Sequence, residues 1–264
     1  MPVSPLQIGF PLFRGFTQLD LSGPWEVLTR LPDTNCHLLA HDNAPVRSAD
    51  GMSILPTLTY TACPQLDVLC VPGGAGSLDA MEDQVLLAFL RRQATSCRYV
   101  TSVCTGSMIL VAAGLLTGYR ATTHWLSLPR LAAFGVTPVK QRVVIDRNRV
   151  TGGGVTAGID FGLVLAAHLA GEAVAREIQV QIEYAPAPPY EGDPDLAKPE
   201  TVTAIRTRLI GSGCLKPMRA SLRASAVSKT ACSPRDRSAA SVRSRAPRAP
   251  SPAPRWPGRP GARP

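Results

Sequence analysis

An apolar run, Asp67–Val71, stops abruptly at Pro72-Gly73-Gly74. A run this short, with no polar alternation, reads as a strand covered on both faces that enters a tight loop. Such a strand needs parallel neighbours and helices above and below it. The rest of the first 185 residues supplies that pattern. Leu6–Phe13, His37–Ala40 and Tyr99–Val103 are further strand candidates, and Val143–Ile145 with Arg149–Thr151 reads as a hairpin. Between them fall helical stretches. One opens at Gly23–Leu31 with Pro24 in its first turn. Others cover Asp79–Ala94, Thr105–Leu116, Thr156–Leu169 and Glu172–Tyr184. The expectation is an α/β chain with a mostly parallel sheet flanked by helices on both faces, of the flavodoxin-like kind.

The texture changes after Tyr184. Ala185–Pro199 reads as a proline-rich, acidic arm, and Glu200–Leu209 as a last short helix. Residues 211–264 hold 12 Lys and Arg against one acid, whereas the first 210 residues hold 16 basic and 18 acidic residues. The net charge of +9 therefore belongs to the tail. The domain reading is 1–210 for the fold and 211–264 for a basic Pro/Arg/Ser/Ala-rich segment with too few large apolar residues to fold. Two readings of that tail stay open: an arm for nucleic acid or an acidic membrane, or an extension without function. Charge gives the core no support as a nucleic-acid binder.

No run of about 18 apolar residues suggests a membrane span. The start lacks the basic and apolar segments of a signal peptide, so the expected compartment is the cytoplasm. Seven cysteines occur without a C-x-x-C pair. Neither zinc nor a thioredoxin-like motif is supported, and free thiols are expected.

Three constellations carry chemistry. In Val100–Ser107 a strand runs straight into Cys104, then into small residues and a helix. This turn carries a nucleophile in other α/β folds. It places Cys104 at the carboxyl rim of the sheet and near a helix N-terminus, which predicts a thiol shifted toward thiolate. The alternative is a buried structural cysteine, the reading given to Cys36, Cys63, Cys70 and Cys97. Asp20, after the first strand, lies on the same rim; it is either a proton carrier or a helix cap. Pro72–Gly76 either turns backbone N–H groups of Gly73 and Gly74 toward a developing anion, or is a plain turn. Among the histidines, His124 in Thr122–Trp125 is the plausible partner of Cys104, whereas His37, His41 and His168 read as structural. Asp160 is expected to cap or anchor a glycine-rich turn.

Taken together these segments resemble the ThiJ/PfpI family, with its class I glutamine amidotransferase-like fold. The shared pieces are DLSGPWEVL, VPGG, SVCTGS, GLLTGYRATTHW and VTGGGVTAGIDFGL, in the family's order over about residues 5–210. Thr105 follows the cysteine where the peptidase-like branch carries His. Asp20 stands where other branches carry Glu. The combination is similar to the isonitrile hydratase branch. That resemblance implies an isonitrile substrate, Cys104 as nucleophile, Asp20 as acid and base, Thr105 as a helper, no metal or organic cofactor, and a homodimer. The same combination occurs in the sensor half of AraC-type transcriptional regulators. A ligand-sensing or redox-sensing domain is therefore the alternative, with no amphipathic helix pair after residue 210 to form a DNA-binding module.

Overall fold

The structure is a computed structural model and describes residues 4–211. The basic tail read from the sequence lies outside the described residues, apart from Gly211. In chain order the elements are β1 (Leu6–Pro11), α1 (Gln18–Leu28), β2 (Thr34–Ala40), β3 (Val46–Arg47), β4 (Ser53–Ile54), β5 (Leu58–Thr59), β6 (Val68–Val71), α2 (Ser77–Ala80) and α3 (Gln84–Ala94). There follow β7 (Tyr99–Val103), α4 (Gly106–Ala112), β8 (Arg120–Ala121), a 3-10 turn over Leu128–Phe134, β9 (Thr137–Pro138), β10 (Val143–Asp146), β11 (Arg149–Gly152), α5 (Ala157–Ala170), α6 (Glu172–Gln181) and α7 (Pro199–Gly211).

The main sheet has the order β10-β11-β7-β6-β1-β2-β5. All neighbours are parallel except β10, which returns antiparallel on β11 as the hairpin reading expects. β6 is buried along its whole length, as its unbroken apolar run requires. Helices α1, α5 and α6 pack together as one layer, and α2, α3 and α4 as another. The core is continuous, with Ile8, Phe10, Leu69, Val100, Phe89 and Phe161 fully enclosed. Register matters for function: Val71 lies opposite Ser102, and Val103 opposite Gly152. The turns after β6, β7 and β11 therefore emerge side by side on one rim.

Several boundaries differ from the sequence expectation. α1 starts at Gln18, so Pro24 sits inside the helix rather than at its opening. Packing explains the tolerance: the Pro24 ring lies against Gly158 of α5, where an added Cβ would come within 3.1 Å of it. The helix expected over Asp79–Ala94 is broken in two. Asp83 accepts from the backbone N–H groups of Val85 and Leu86, both at 3.0 Å, and so starts a new helix. α4 is shorter than expected, with Thr105 at its N-cap position.

Candidate active site

The site is built at the end of β7. Cys104 has φ +55°, a left-handed conformation. For a residue other than glycine this costs about 1–3 kcal/mol and persists only where surrounding bonds enforce it. Those bonds are present. The Cys104 N–H donates to the carbonyls of Gly152 and Gly153 at 3.1 and 2.8 Å. Its carbonyl accepts from the Thr123 hydroxyl at 2.7 Å. The turn directs the chain at once into α4, and the residue is only 4% exposed.

Asp20 meets Cys104 from α1. It lies in the helix's first turn and is fully buried. It is not the cap, because the capping position belongs to Thr17. One oxygen, Oδ2, accepts from the Gly73 N–H at 3.0 Å. The other, Oδ1, is buried with no hydrogen-bond partner of good geometry, although the carboxyl and the Cys104 thiol lie close enough to shift each other's titration. Burial pushes the carboxyl up to about 7, against the pull of Cys104 and the Gly73 N–H. The buried thiol is pushed up as well, first by desolvation and then by the Asp20 charge. The N–H groups of Thr105 and Val155 act on the sulfur in the opposite sense but do not prevail. The expectation of a thiol shifted toward thiolate is thus corrected. Seven residues of helix cannot offset full burial beside a carboxylate.

The glycine turn is corrected too. Neither Gly73 nor Gly74 has a backbone N–H free to meet a substrate anion. The Gly73 N–H holds Asp20, and the Gly74 N–H donates to the Thr105 hydroxyl at 2.8 Å. Both glycines are demanded by close approach. A Cβ on Gly73 would stand 2.4 Å from the Thr105 backbone nitrogen and 2.9 Å from Asp20 Oδ2. At Gly74, with φ +142°, it would meet the Gly15 carbonyl at 2.4 Å. Thr105 Oγ1 also pairs with the Ser77 hydroxyl at 2.8 Å. Its hydroxyl therefore ties the glycine turn to α2, while its backbone N–H addresses the sulfur.

His124 lies near this rim but is not joined to Cys104 by a hydrogen bond among those of the described residues. Its ring packs over Gly154, its Nδ1 accepts from the Leu126 N–H at 3.4 Å, and burial lowers its pKa. His37 pairs with Gln7 and His41 with Asp83, both remote structural contacts. Asp160 does anchor its turn: it pairs with Arg142 and accepts from the Tyr184 hydroxyl at 3.1 Å. The thiols of Cys36, Cys70 and Cys97 are pushed up to about 12 by burial, and that of Cys63 to about 11. All four are unpaired. A cavity of about 230 Å³ opens elsewhere, between Leu12, Phe13, Arg14, His41 and Arg47, and no residue of the Cys104 site lines it. Sequence reasoning missed Val155, Ser77 and Thr123. Only the positions of Thr123 in ATTHW and of Val155 in TGGGV, both already marked as motifs, signalled them.

The DJ-1/PfpI family matches residues 7–168. The isonitrile hydratase of Pseudomonas putida is 55% identical over 204 residues, which is 77% of this chain and 90% of that one. The HTH-type transcriptional regulator GbdR of Pseudomonas aeruginosa is 34% identical over 68% of this chain but only 50% of its own length. Among solved structures, a ThiJ/PfpI family protein from Pseudomonas syringae superposes with a TM-score of 0.77 at 42% identity, covering 79% of this chain and 88% of that one.

Proposed function

This chain belongs to the DJ-1/PfpI family, and on that premise we propose that it is a hydratase that converts an isonitrile to an N-substituted formamide. The observation that carries the reading is the meeting of Asp20 and Cys104, both buried, at one rim of the sheet, with the carboxyl held by the Gly73 N–H and close enough to the thiol for each to shift the other's titration. The likeness to the P. putida isonitrile hydratase supports the substrate class.

The chemistry follows from the pair. Near neutral pH, Asp20 is divided between its two protonation states, while Cys104 keeps its proton. Ionised Asp20 accepts the thiol proton as sulfur bonds to the terminal carbon of R–N≡C, and returns it to that carbon. The product is a thioimidate, R–N=CH–S. Water then adds to the same carbon, with Asp20 taking its proton and passing it to nitrogen. As the carbonyl forms, Asp20 takes the remaining hydroxyl proton and delivers it to sulfur, the C–S bond breaks, the thiol is restored and R–NH–CHO leaves. Thr105 and Val155 hold the sulfur through their N–H groups, and Gly73 holds the acid. The remaining parts of the reading are a homodimer and a cytoplasmic location. Among the described residues no helix is long and apolar enough to cross a membrane.

Steady-state assay on cyclohexyl isocyanide, with the formamide identified by mass, tests the reading. Wild-type chain should turn over and Cys104→Ala should fall to background. Activity of Cys104→Ala near the wild-type level would replace the covalent route with attack by Asp20-activated water. The likeness to half of GbdR supports one rival, a ligand sensor. Isonitrile binding without any formamide would favour it.

A further inference from the structure

Beneath the turn that carries Cys104 runs a belt of buried polar side chains that the mechanism above does not use. The Ser102 and Ser107 hydroxyls pair at 2.9 Å, and Ser107 donates to the Thr122 carbonyl at 2.7 Å. The Thr122 N–H donates to the Thr151 hydroxyl at 2.9 Å. Ser102, Ser107 and Thr151 are fully buried, and Thr122 nearly so. The segment from Thr122 to His124 has no regular structure of its own. These bonds fix its backbone between β7, α4 and β11. What the belt delivers is Thr123, itself 3% exposed, whose hydroxyl donates to the Cys104 carbonyl at 2.7 Å.

That carbonyl belongs to Cys104, the residue held at φ +55°. The strand side of Cys104 is held by Gly152 and Gly153 through its N–H. On the helix side, the Ser107 N–H reaches the same carbonyl only at 3.5 Å. The Thr123 hydroxyl is therefore the short bond that sets the rotation of the peptide leaving Cys104. That rotation also orients the Thr105 N–H, which addresses the sulfur. We infer that Thr123 is a positioning residue for turnover: its hydroxyl holds the Cys104 peptide so that sulfur faces Asp20 and the Thr105 and Val155 N–H groups together. The inference rests on the reading of Cys104 as the nucleophile.

Thr123→Val keeps the volume and branching and removes the donor. It should lower kcat by roughly tenfold to a hundredfold, as small misplacements of a reacting group do, with KM held within about threefold. Thr123→Ser keeps the hydroxyl and should restore most of the rate. A second readout needs no isonitrile. The pH midpoint for alkylation of Cys104 by iodoacetamide, followed by peptide mapping, should move in Thr123→Val and return in Thr123→Ser. If wild type alkylates at Cys104 but does not hydrate isonitriles, the function fails while the alkylation arm still decides Thr123. An unchanged rate and an unchanged alkylation profile in folded Thr123→Val would overturn the inference, as would an equal loss in Thr123→Ser. Should Thr123→Val not fold, Thr123→Ala is compared with Thr123→Ser in the same way. Failure of both Val and Ala variants to fold would assign the bond to the fold instead of to turnover.

Discussion

Asp20 is the residue whose surroundings depart furthest from what a carboxyl group tolerates. It is fully buried, one oxygen is unpartnered, and its pKa is raised from 3.8 to about 7. The folded chain thus binds a proton at Asp20 that the unfolded chain has released between those two values. Stability is lost as pH rises through that window, and the full penalty is present above about pH 7. Asp20→Asn removes a group that must ionise in the core. It should raise the melting temperature at pH 8 and do much less at pH 4, which melts at the two pH values would check. A smaller gain at pH 8 than at pH 4 would contradict the raised pKa. The same variant cannot cycle a proton, so turnover should fall on the order of 10² or more. Stability gained where activity is lost is the signature of a strained functional group. In wild type, the rate should change with an apparent midpoint near 7 that belongs to the Asp20–Cys104 pair together.

At the scale of elements, α1 reaches the site through its contact with α5, made close by glycines. A Cβ on Gly162 would lie 3.0 Å from Val27 Cβ, and 3.2 Å from its Cγ2. On Gly23 the nearest atom would be the Ile159 Cγ1 at 3.4 Å, an ordinary contact. Both positions are helical, where Ala gains about 1 kcal/mol over Gly. The two substitutions should therefore differ in sign. Gly23→Ala should raise the melting temperature by a few degrees. Gly162→Ala should lower it, since overpacking costs about 1–3 kcal/mol, and should slow turnover by displacing the helix that carries Asp20. Equal gains from both would show that α1 can retreat from α5 without effect. The elements themselves were largely legible: β6, β7 and the β10–β11 hairpin follow directly from apolar runs and turn residues. The start of α1 was not. Pro24 reads as a first-turn residue because proline lacks an N–H, and only the groove offered by Gly158 makes it acceptable in the interior.

For the whole molecule, charge and apolar content divide the chain near residue 210. The expected consequence is that residues 212–264 contribute nothing to the stability of the rest. A chain ending at Gly211 should melt within about 2 °C of the full chain, less than a change of about 1 kcal/mol would produce in a protein of this size. A larger drop would move the boundary. Comparing the two chains by light scattering would also show whether the homodimer implied by the family forms, and whether it needs the basic segment.

Local chemistry determined much in advance. A strand running into Cys104 and small residues specifies a rim cysteine, and Asp20 after the first strand places a carboxyl on the same rim, because parallel strands all end there. Pairing of those two side chains was not readable, since α1 and β7 are far apart in sequence and meet only through the packed sheet. The protonation of the pair was hidden for the same reason. A helix N-terminus favours thiolate locally, but burial and the neighbouring carboxyl, both products of tertiary packing, reverse the outcome. The glycine turn carries the same lesson: its residues announce close approach, but only the assembled rim decides that Gly73 and Gly74 serve Asp20 and Thr105. Backbone conformation is largely a short-range property of the chain; the pairing of distant strands and the partners of a buried charge are set by which surfaces the fold brings together.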